Sequence, residues 1–475
     1  MESKIPVSSD YFWLPVCKDG QRDKVELFVE GDKVYEMDMP VFTGDILYYA
    51  PVKVSDYQGK TMICMTGQPQ SWIDAIRMEN QTPGTTGALR PKIHFTSEYG
   101  WMNDPNGLVY ANGVYHLYYQ WNPYGTEWGN MHWGHAVSTD LFHWQWRPAA
   151  LFPDAYGTMY SGCGIQDTQN CLGKGSDALV FYYTAAGRLN DWSKGMEFRQ
   201  MLAYSIDGGE TLVKSGITAV GPIVRDNRDT NVFYHKASGG YVMALYLEYH
   251  DYAIFRSDNL IDWTQTQKIT MLDMGECPDL FELQNTDGSS KWVFWGANGN
   301  YFTGDFNGYI FIPDCKTPKR VYKNGLAYAA QSWSGVVGRH LSIPWLRTVD
   351  HNVCWRGMMG IPQELTMENG QVCIQPAREL EALRGRQQLL DIAASSWELP
   401  SVCDMELYLA ETVDLFVDGV RIPDVPAGTV RVILDDGIAE VYAEGGLYYF
   451  PAEIAVGNHL LKAPGLQYGK VFLLS

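Results

Sequence analysis

Apolar and polar residues alternate with a period of two in short segments along most of the chain. Residues 25–29 and 33–37 alternate on either side of Gly31-Asp32, which predicts an antiparallel β-hairpin. Further alternating segments follow, up to a Pro- and Gly-rich stretch at residues 81–87. We therefore expect residues 1–88 to form a small N-terminal accessory β-domain, with the 81–87 stretch as its connection to the rest of the chain.

Residues 89–376 contain many short strand-like segments separated by Gly, Asn and Asp. A similar phrase recurs at 135–145, 202–212 and 253–265, at intervals of about 50 to 70 residues, and each copy reads as a strand followed by a Ser/Asp turn. Recurring units of this size predict the blades of a β-propeller, with a large sandwich or barrel as the alternative. The turn acids of the repeats are expected to be structural, namely Asp140, Asp207 and Asp258.

The last part of the chain begins with a helical spacing, in which Leu380 and Leu383 lie three positions apart. We expect a linker helix over residues 377–389. Residues 390–475 alternate again, which predicts two packed sheets in a C-terminal β-sandwich. The predicted fold class is therefore all-β, with a β-propeller between two smaller β-domains.

Composition narrows the classes of partner. The chain is 46% hydrophobic and 19% charged, as in soluble globular proteins, and its formal charge is −19. This acidity disfavours nucleic acids and acidic membrane surfaces, and no stretch of about 18 apolar residues predicts a membrane span. Aromatic residues make up 13% of the chain and often stand beside Asn, Asp, Gln or Gly. Such surfaces suit sugar rings, although aromatic residues also fill β-cores.

The N-terminus and the cysteines bear on cellular location. Residues 1–6 lack the apolar segment of a secretory signal, and the nine cysteines are scattered without a C-x-x-C pair. These features predict reduced thiols in a cytoplasm and argue against a zinc site.

Three acidic segments are candidates for catalytic carboxyls. Asp104 stands in G-W-M-N-D-P-N-G (100–107), whose turn formers would place it at the mouth of a strand, unless it only caps an Asx-turn. Glu276 lies in a turn beside apolar segments, where partial desolvation would suit a general acid, unless it is a surface residue. Asp226 and Asp229 each follow an arginine, which favours an ionised carboxylate for binding sugar hydroxyls; exposed Arg–Asp pairs are the alternative.

Eight motifs follow one another in a fixed order between residues 90 and 384. They are RPKIHFTSEYGWMNDPNGLVYANGVYHLYYQWNP (90–123), WGNMHWGHAVSTDLFHWQWRPAAL (128–151), YSGCG (160–164), GECPDLFEL (275–283), YAAQSW (328–333), GRHLSIPWL (338–346), GMMGIPQELTM (357–367) and ARELEALR (377–384). Together they resemble the catalytic domain of glycoside hydrolase family 32, the β-fructofuranosidases, which include invertases, inulinases and levanases. The resemblance implies a five-bladed β-propeller followed by a β-sandwich, and no metal or organic cofactor.

The resemblance also implies roles for the acids. Asp104 would be the nucleophile that attacks the anomeric carbon of a fructosyl unit, and Glu276 the acid/base. The family's third acid lies in an Arg-Asp-Pro motif and stabilises the transition state. In the family, Val-Phe follows this motif after one intervening residue. Both Asp226 and Asp229 follow an arginine, but only Asp229 has Val-Phe at that spacing, so the resemblance implies that Asp229 is the third acid, with Arg228 beside it.

Around these acids, the resemblance implies a pocket for the fructosyl ring. Its expected lining is Asn103, Gln120, Trp128, Tyr160, Ser161, Arg228, Tyr328 and Trp345. Trp101 and Trp121 fit the pocket and the core equally well. Two departures from the family pattern, Thr230 in place of a proline and Pro344 in place of a glycine, bear on which sugar is accepted.

The sequence therefore predicts a retaining β-fructosidase that acts on sucrose, fructo-oligosaccharides or fructans. Fructosyl transfer, or hydrolysis of an unusual fructose-containing sugar, is the alternative within enzymes. A non-catalytic sugar-binding protein is the alternative of another class, although the chain retains all three acids. The N-terminal β-domain leaves room for a subunit contact, and hence a homo-oligomer, or for a second sugar site.

Overall fold

The computed structural model describes residues 1–81, 89–349 and 353–474. These residues form almost entirely β-structure, as the sequence predicts. Except for Gln81, the predicted connection at 81–87 lies outside the described residues. In the described part of the chain, no helix is both long and apolar enough to cross a membrane.

The N-terminal part contains two antiparallel sheets, in the strand orders β1-β6-β3-β4 and β5-β2-β7. The predicted hairpin is the β3–β4 pair, whose turn uses Glu30 and Gly31 with φ of 54° and 97°, the left-handed conformation that matches strand twist. The elements are β1 (Glu2–Pro6), β2 (Tyr11–Cys17), β3 (Arg22–Val29), β4 (Asp32–Pro40), β5 (Ile46–Lys53), a 3₁₀ turn (Ser55–Tyr57), β6 (Thr61–Thr66), α1 (Gln70–Ala75) and β7 (Arg77–Glu79).

Five antiparallel sheets then follow in chain order and form the blades of a propeller. Blade one contains β8 (Gly100–Ala111), β9 (Val114–Asn122), β10 (His132–Ser138) and β11 (Gln145–Leu151). Blade two contains β12 (Thr158–Gln166), β13 (Leu179–Ala186), β14 (Arg199–Ser205) and β15 (Val213–Val220). Blade three contains β16 (Arg228–His235), β17 (Gly240–Glu248), β18 (Asp251–Ser257) and β19 (Thr264–Thr270).

Blade four contains β20 (Asp279–Gln284), β21 (Ser290–Trp295), β22 (Asn300–Phe306), β23 (Phe311–Pro313) and the short β24 (Lys319–Arg320). The fifth segment contains β25 (Ala327–Ser332), β26 (His340–Leu346), β27 (Trp355–Arg356), β28 (Met358–Met359), β29 (Gln363–Glu368) and β30 (Gln371–Pro376). Of these, β27 pairs in parallel with β8 of blade one, so the end of the propeller joins its beginning.

The first strand of four blades carries a bulge near its N-terminal end. In β8, Asn103 and Asp104 stand opposite the single residue Gln120, and in β16, Asp229 and Thr230 interrupt the register in the same way. Ser161 is the unpaired residue of β12, and β25 has a corresponding break. Because a bulge re-aims the side chains it carries, these breaks turn polar residues toward the propeller axis.

The predicted linker helix over 377–389 is wrong in extent. Residues Arg378–Leu383 form a 3₁₀ helix that buries Leu380, but Arg384–Leu389 is strand β31, which pairs with the last strand of the chain. Pairing with a sheet edge satisfies the backbone of this segment, whose side chains are largely exposed, so that no apolar face favours a longer helix.

The C-terminal region is a two-sheet sandwich. Its six-stranded sheet has the order β31-β40-β33-β36-β37-β38, and its four-stranded sheet the order β32-β39-β34-β35. The remaining elements are β32 (Trp397–Leu399), β33 (Cys403–Leu409), β34 (Val413–Val417), β35 (Val420–Val425), β36 (Gly428–Asp435), β37 (Ile438–Ala443), a 3₁₀ turn (Glu444–Gly446), β38 (Tyr448–Glu453), β39 (His459–Lys462) and β40 (Leu466–Leu474).

The repeated Ser/Asp turns of the propeller are structural at two of the three predicted positions. Asp140 accepts a hydrogen bond from the Ser138 hydroxyl at 2.9 Å, and Asp207 accepts one from Ser205 at 2.6 Å. In the third repeat the equivalent acceptor is Asn259 rather than Asp258, because Asn259 is two residues beyond Ser257, as the acids are in the other repeats.

Candidate active site

All eleven residues expected at the site line one pocket of about 450 Å³. Its lining is Asn103, Asp104, Gln120, Trp128, Tyr160, Ser161, Leu189, Phe198, Asp226, Arg228, Asp229, Glu276, Tyr328 and Trp345. Blades one to four and β25 and β26 all contribute, so residues distant in sequence converge on the propeller axis. Leu189 and Phe198 were not predicted; both lie in the long β13–β14 connection, whose signal in the sequence is limited to two aromatic residues, Trp192 and Phe198, among polar and charged ones.

Asp104 lies inside strand β8, not at its mouth as predicted. The turn-forming residues around it produce a bulge within the strand instead of ending it. Its carboxylate accepts hydrogen bonds from the Ser161 hydroxyl at 2.8 Å and from the Asn103 amide at 3.1 Å. The indole N–H of Trp101 donates to Asn103 at 3.0 Å, so Asn103 is itself held in place.

Asp229 is the member of the Asp226/Asp229 pair that reaches the other two acids. It is 4% exposed, its φ is 61°, and its backbone N–H donates to the Thr184 hydroxyl at 3.1 Å. A left-handed φ at a non-glycine residue is uncommon and is kept only where surrounding contacts enforce it. Asp226 instead pairs with Arg188 at the rim of the pocket.

Glu276 projects from the turn before β20. Arg228 links it to Asp229, since the guanidinium lies 2.5 Å from Glu276 Oε1 and 3.5 Å from Asp229 Oδ2. The Tyr328 hydroxyl is 3.5 Å from Glu276 Oε2. The next residue, Cys277, has a φ of 48° and directs its thiol to Asp104 Oδ2 at 3.5 Å.

Electrostatics set the enclosed acids apart from ordinary carboxylates. Burial raises the pKa of Asp104; hydrogen bonding by Ser161 opposes this, and the charge of Glu276 adds to it. Burial also raises the pKa of Asp229, against the opposing effect of Arg228, and the charges of Glu276 and Asp104 raise it further. Burial among like charges therefore opposes the ionisation of Asp229 that the sequence leads us to expect from its adjacent arginine.

The pocket is polar at its base and aromatic at its mouth. Gln120 and Ser161 are 2% and 3% exposed, whereas Trp128 is 53% exposed. The rings of Trp128 and Tyr160 meet edge to face at 6.0 Å, and those of Tyr160 and Phe198 at 5.5 Å. A ligand can therefore place one polar ring at the base while the group attached to it contacts aromatic surface.

The structure distinguishes Trp101 from Trp121, which by sequence fit the pocket and the core equally well. Trp121 belongs to the core, where its indole donates to the Tyr99 carbonyl at 2.7 Å. Trp101 stands behind the pocket wall and packs edge to face on Trp345 at 5.8 Å. Thr230, at the position of the family proline, is buried with its hydroxyl 3.9 Å from Cys163 Sγ.

The arrangement is suited to covalent chemistry between two carboxyls. A carboxylate held by hydrogen bonds can act as a nucleophile, and a partly open carboxyl nearby can exchange a proton with a leaving group or water. Among the residues that the structure describes, no group of three or more His, Cys, Asp or Glu side chains is placed to hold a metal ion.

Comparison with known proteins identifies the family. Residues 94–376 match the family model described as the glycosyl hydrolases family 32 N-terminal domain. The chain belongs to glycosyl hydrolase family 32. A levanase of Bacillus subtilis is 38% identical over 335 residues, and an extracellular exo-inulinase of Aspergillus niger is 34% identical over 349 residues.

Coverage of these family 32 relatives is partial. The alignments include 62% and 61% of this chain, but the chain spans only 48% of the levanase and 65% of the exo-inulinase. The solved structure of a family 32 glycoside hydrolase from Bifidobacterium adolescentis matches with a TM-score of 0.69 at 19% identity, covering 100% of this chain and 99% of that one. The predicted fold class, a five-bladed propeller with a C-terminal sandwich and a small N-terminal β-domain, is thereby confirmed.

Proposed function

We propose that this protein is a retaining β-fructosidase that hydrolyses terminal fructosyl bonds of sucrose, fructo-oligosaccharides or fructans. The observation that carries the proposal is the meeting of Asp104, Asp229 and Glu276 in one pocket, with Arg228 between the last two. Membership of family 32, and similarity to proteins named levanase and exo-inulinase, support a fructosyl substrate.

In the first step, a carboxylate oxygen of Asp104 attacks the anomeric carbon of the fructosyl unit, and the bond to the leaving oxygen breaks. Glu276 gives its proton to that oxygen, so the leaving sugar departs as an alcohol. The hydrogen bonds from Ser161 and Asn103 hold Asp104 in position for the attack. The product of this step is a fructosyl ester of Asp104.

In the second step, Glu276 takes a proton from water, and the resulting hydroxide attacks the same carbon and releases Asp104. Two inversions give overall retention of configuration. Asp229 is enclosed at the base of the pocket and would bind fructose hydroxyls, with Arg228 keeping it and Glu276 in register. Charge that develops on the sugar in the transition state would strengthen these contacts.

Fructosyl transfer is the second candidate. The half-exposed Trp128 and Leu189 at the mouth offer apolar surface on which a sugar acceptor could replace water in the second step. We also propose that the protein works in a reducing compartment, since all nine cysteines are free.

Product analysis tests the proposal. The protein is incubated with sucrose, 1-kestose, inulin and levan, and the released sugars are followed by chromatography. A parallel set contains about 10% methanol, which competes with water for the covalent intermediate. We expect free fructose and, with methanol, methyl β-fructofuranoside of retained configuration. Release of no fructose from any substrate contradicts a fructosidase, inverted methyl fructoside contradicts double displacement, and longer oligosaccharides as main products favour transfer.

A further inference from the structure

The N-terminal β-domain contacts the propeller beside the mouth of the pocket. The first mouth loop, residues 123–131, joins β9 to β10 and carries Trp128. Before Trp128, the Tyr48 hydroxyl donates to the Pro123 carbonyl at 3.0 Å, and the carboxylate of Asp19 accepts a hydrogen bond from the Thr126 hydroxyl at 2.8 Å. The N-terminal domain therefore holds this loop on the near side of Trp128.

The same loop is held on the far side of Trp128 as well. The side-chain amide of Asn130 accepts a hydrogen bond from the backbone N–H of Asp38 at 2.8 Å and donates one to its carbonyl at 2.8 Å. Asn130 thus pairs with strand β4 as a neighbouring strand residue would. Its φ of 44° is a left-handed conformation that asparagine tolerates better than most residues.

The second mouth loop, residues 187–198, joins β13 to β14 and carries Leu189 and Phe198. Asp191 of this loop forms an ion pair with Lys24, and its backbone N–H donates to Glu36 Oε1 at 2.8 Å. The Glu36 side chain is only 3% exposed, and Lys24 lies 3.8 Å from it, so the contact is a charge network and not an isolated surface pair.

The two mouth loops form one wall of the pocket. Trp128 of the first loop packs on Tyr160, and Tyr160 packs on Phe198 of the second. The N-terminal domain therefore contacts both of the loops that carry the two ends of this aromatic surface. This surface lies at the open end of the pocket, beyond the buried base that would hold the fructosyl ring.

We propose that the N-terminal β-domain sets leaving-group selectivity by positioning this wall through Asp19 and Lys24. The inference rests on the proposed fructosidase function and assigns the domain a part in it. Asp19 and Lys24 are positioning residues, because they act through the mouth loops and do not line the pocket. The group that contacts the wall is the sugar attached to the terminal fructosyl unit.

The test compares two substrates with the same fructosyl unit and different leaving groups. 1-Kestose presents a disaccharide to the wall, whereas methyl β-fructofuranoside presents only methanol. For Asp19→Ala and Lys24→Met, we expect kcat/KM for 1-kestose to fall about three- to tenfold, chiefly through KM, and kcat/KM for methyl β-fructofuranoside to change less than about twofold. Lys24→Arg keeps the cation and should retain the wild-type ratio.

A matched control is Lys60→Met, which removes an ion pair with Glu30 inside the same domain. It should leave the ratio of the two kcat/KM values unchanged, and thermal melts of all variants show whether they are folded. The inference is overturned if the ratio is unchanged in folded Asp19→Ala and Lys24→Met, whether neither kcat/KM value falls or both fall equally. If the wild type cleaves neither substrate, it is the fructosidase proposal that fails.

Discussion

Two clusters of ionisable side chains in this molecule differ in whether the fold favours or disfavours their charged forms. One is the pocket on the propeller axis, where Asp104, Asp229 and Glu276 share a single cation, Arg228. The other lies between the propeller and the C-terminal sandwich. There His94 stands between Asp435 and Glu440, with its two ring nitrogens 3.0 Å from a carboxylate oxygen of each.

In the interdomain cluster, both carboxylates accept hydrogen bonds from His94 and from backbone N–H groups. All three side chains are inaccessible to solvent, and Asp435 also accepts hydrogen bonds from the backbone N–H groups of Ile93 and His94. Glu440 accepts one from the Ile361 backbone at 2.8 Å. Burial alone would lower the pKa of His94, but its bonds to the two carboxylates raise it to about 9. Here the fold favours the charged forms of His94 and Asp435.

The axial cluster does the reverse. Burial raises the pKa of Asp104 and of Asp229, so the fold disfavours their charged forms. Asp229 and Cys277 also hold left-handed backbone conformations, which cost free energy. The contrast indicates that the interdomain cluster stabilises the assembly of domains, whereas the axial cluster lowers stability in return for chemistry.

The largest expected effect is at the axis. Asp104→Asn should lower kcat/KM for sucrose by roughly a thousandfold or more, because an amide cannot form the covalent intermediate. The melting temperature should stay the same or rise, because a buried charge among like charges is removed. Initial rates and thermal melts of the purified variant measure both.

The control for this variant is Asp140→Asn, which alters an acid in a structural turn of the same propeller. It should retain near-wild-type activity while losing some stability. Near-full activity in Asp104→Asn would show that Asp104 is not the nucleophile. A large fall in the melting temperature of this variant would contradict the conclusion that the axial cluster lowers stability.

The next effect concerns the interdomain cluster. His94→Ala leaves two carboxylates buried without their shared cation, and removing one partner of a buried ion pair costs about 3 to 5 kcal/mol. We expect a loss of this size in the free energy of unfolding, measured by denaturant titration, with kcat of the folded fraction unchanged. The exposed His143, which pairs with Asp140, is the control, and His143→Ala should change stability by less than about 1 kcal/mol.

This stabilisation should depend on pH. Because the pKa of His94 is raised above its unfolded value of about 6.5, its contribution is complete below that pH and is lost as the pH rises through about 9. The pKa of Asp435 is lowered by its hydrogen bonds to His94 and the backbone, against its burial, so its contribution is lost as the pH falls below about 4. A difference between wild type and His94→Ala that persists at pH 10 would mean that packing, and not charge, stabilises the interface.

The two clusters also differ in how far sequence could predict them. The residues of the axis stand in long motifs that resemble a family, so their convergence could be expected without coordinates. The bulges that aim Asp104, Ser161 and Asp229 inward could not, because a bulge depends on pairing with the neighbouring strand, which the spacing of apolar residues does not reveal. For that reason Asp104 was expected at a strand end and lies inside a strand.

The interdomain cluster gave no signal in the sequence. His94 and Asp435 are 341 positions apart, and each alone reads as an ordinary polar residue. The second mouth loop, which carries Leu189, was equally hidden, since it is held by contacts between distant segments, namely that of Asp191 with the N-terminal domain and that of Arg188 with Asp226. Alternation predicts elements and faces, whereas contacts between domains depend on which faces meet.

The smallest expected change in stability is also the most direct test of the electrostatic cost at the axis. Asp229→Asn replaces an acid whose ionisation the fold opposes with a neutral side chain of the same shape. Because its pKa is raised, the wild-type acid weakens the folded state once the pH exceeds the unfolded value of about 3.9, and the amide does not. We expect Asp229→Asn to gain about 1 kcal/mol of stability at pH 7 and none at pH 3.5, while kcat falls strongly.

Asp226 provides the matched comparison for this last measurement. It lines the same pocket, but at the rim, where it pairs with Arg188, so Asp226→Asn should gain no stability at either pH. If Asp226→Asn lost more activity than Asp229→Asn, the third acid would be Asp226 and not Asp229. A gain in Asp229→Asn that was equal at both pH values would show that the benefit comes from packing, and that the enclosed acids of the axis carry no electrostatic cost.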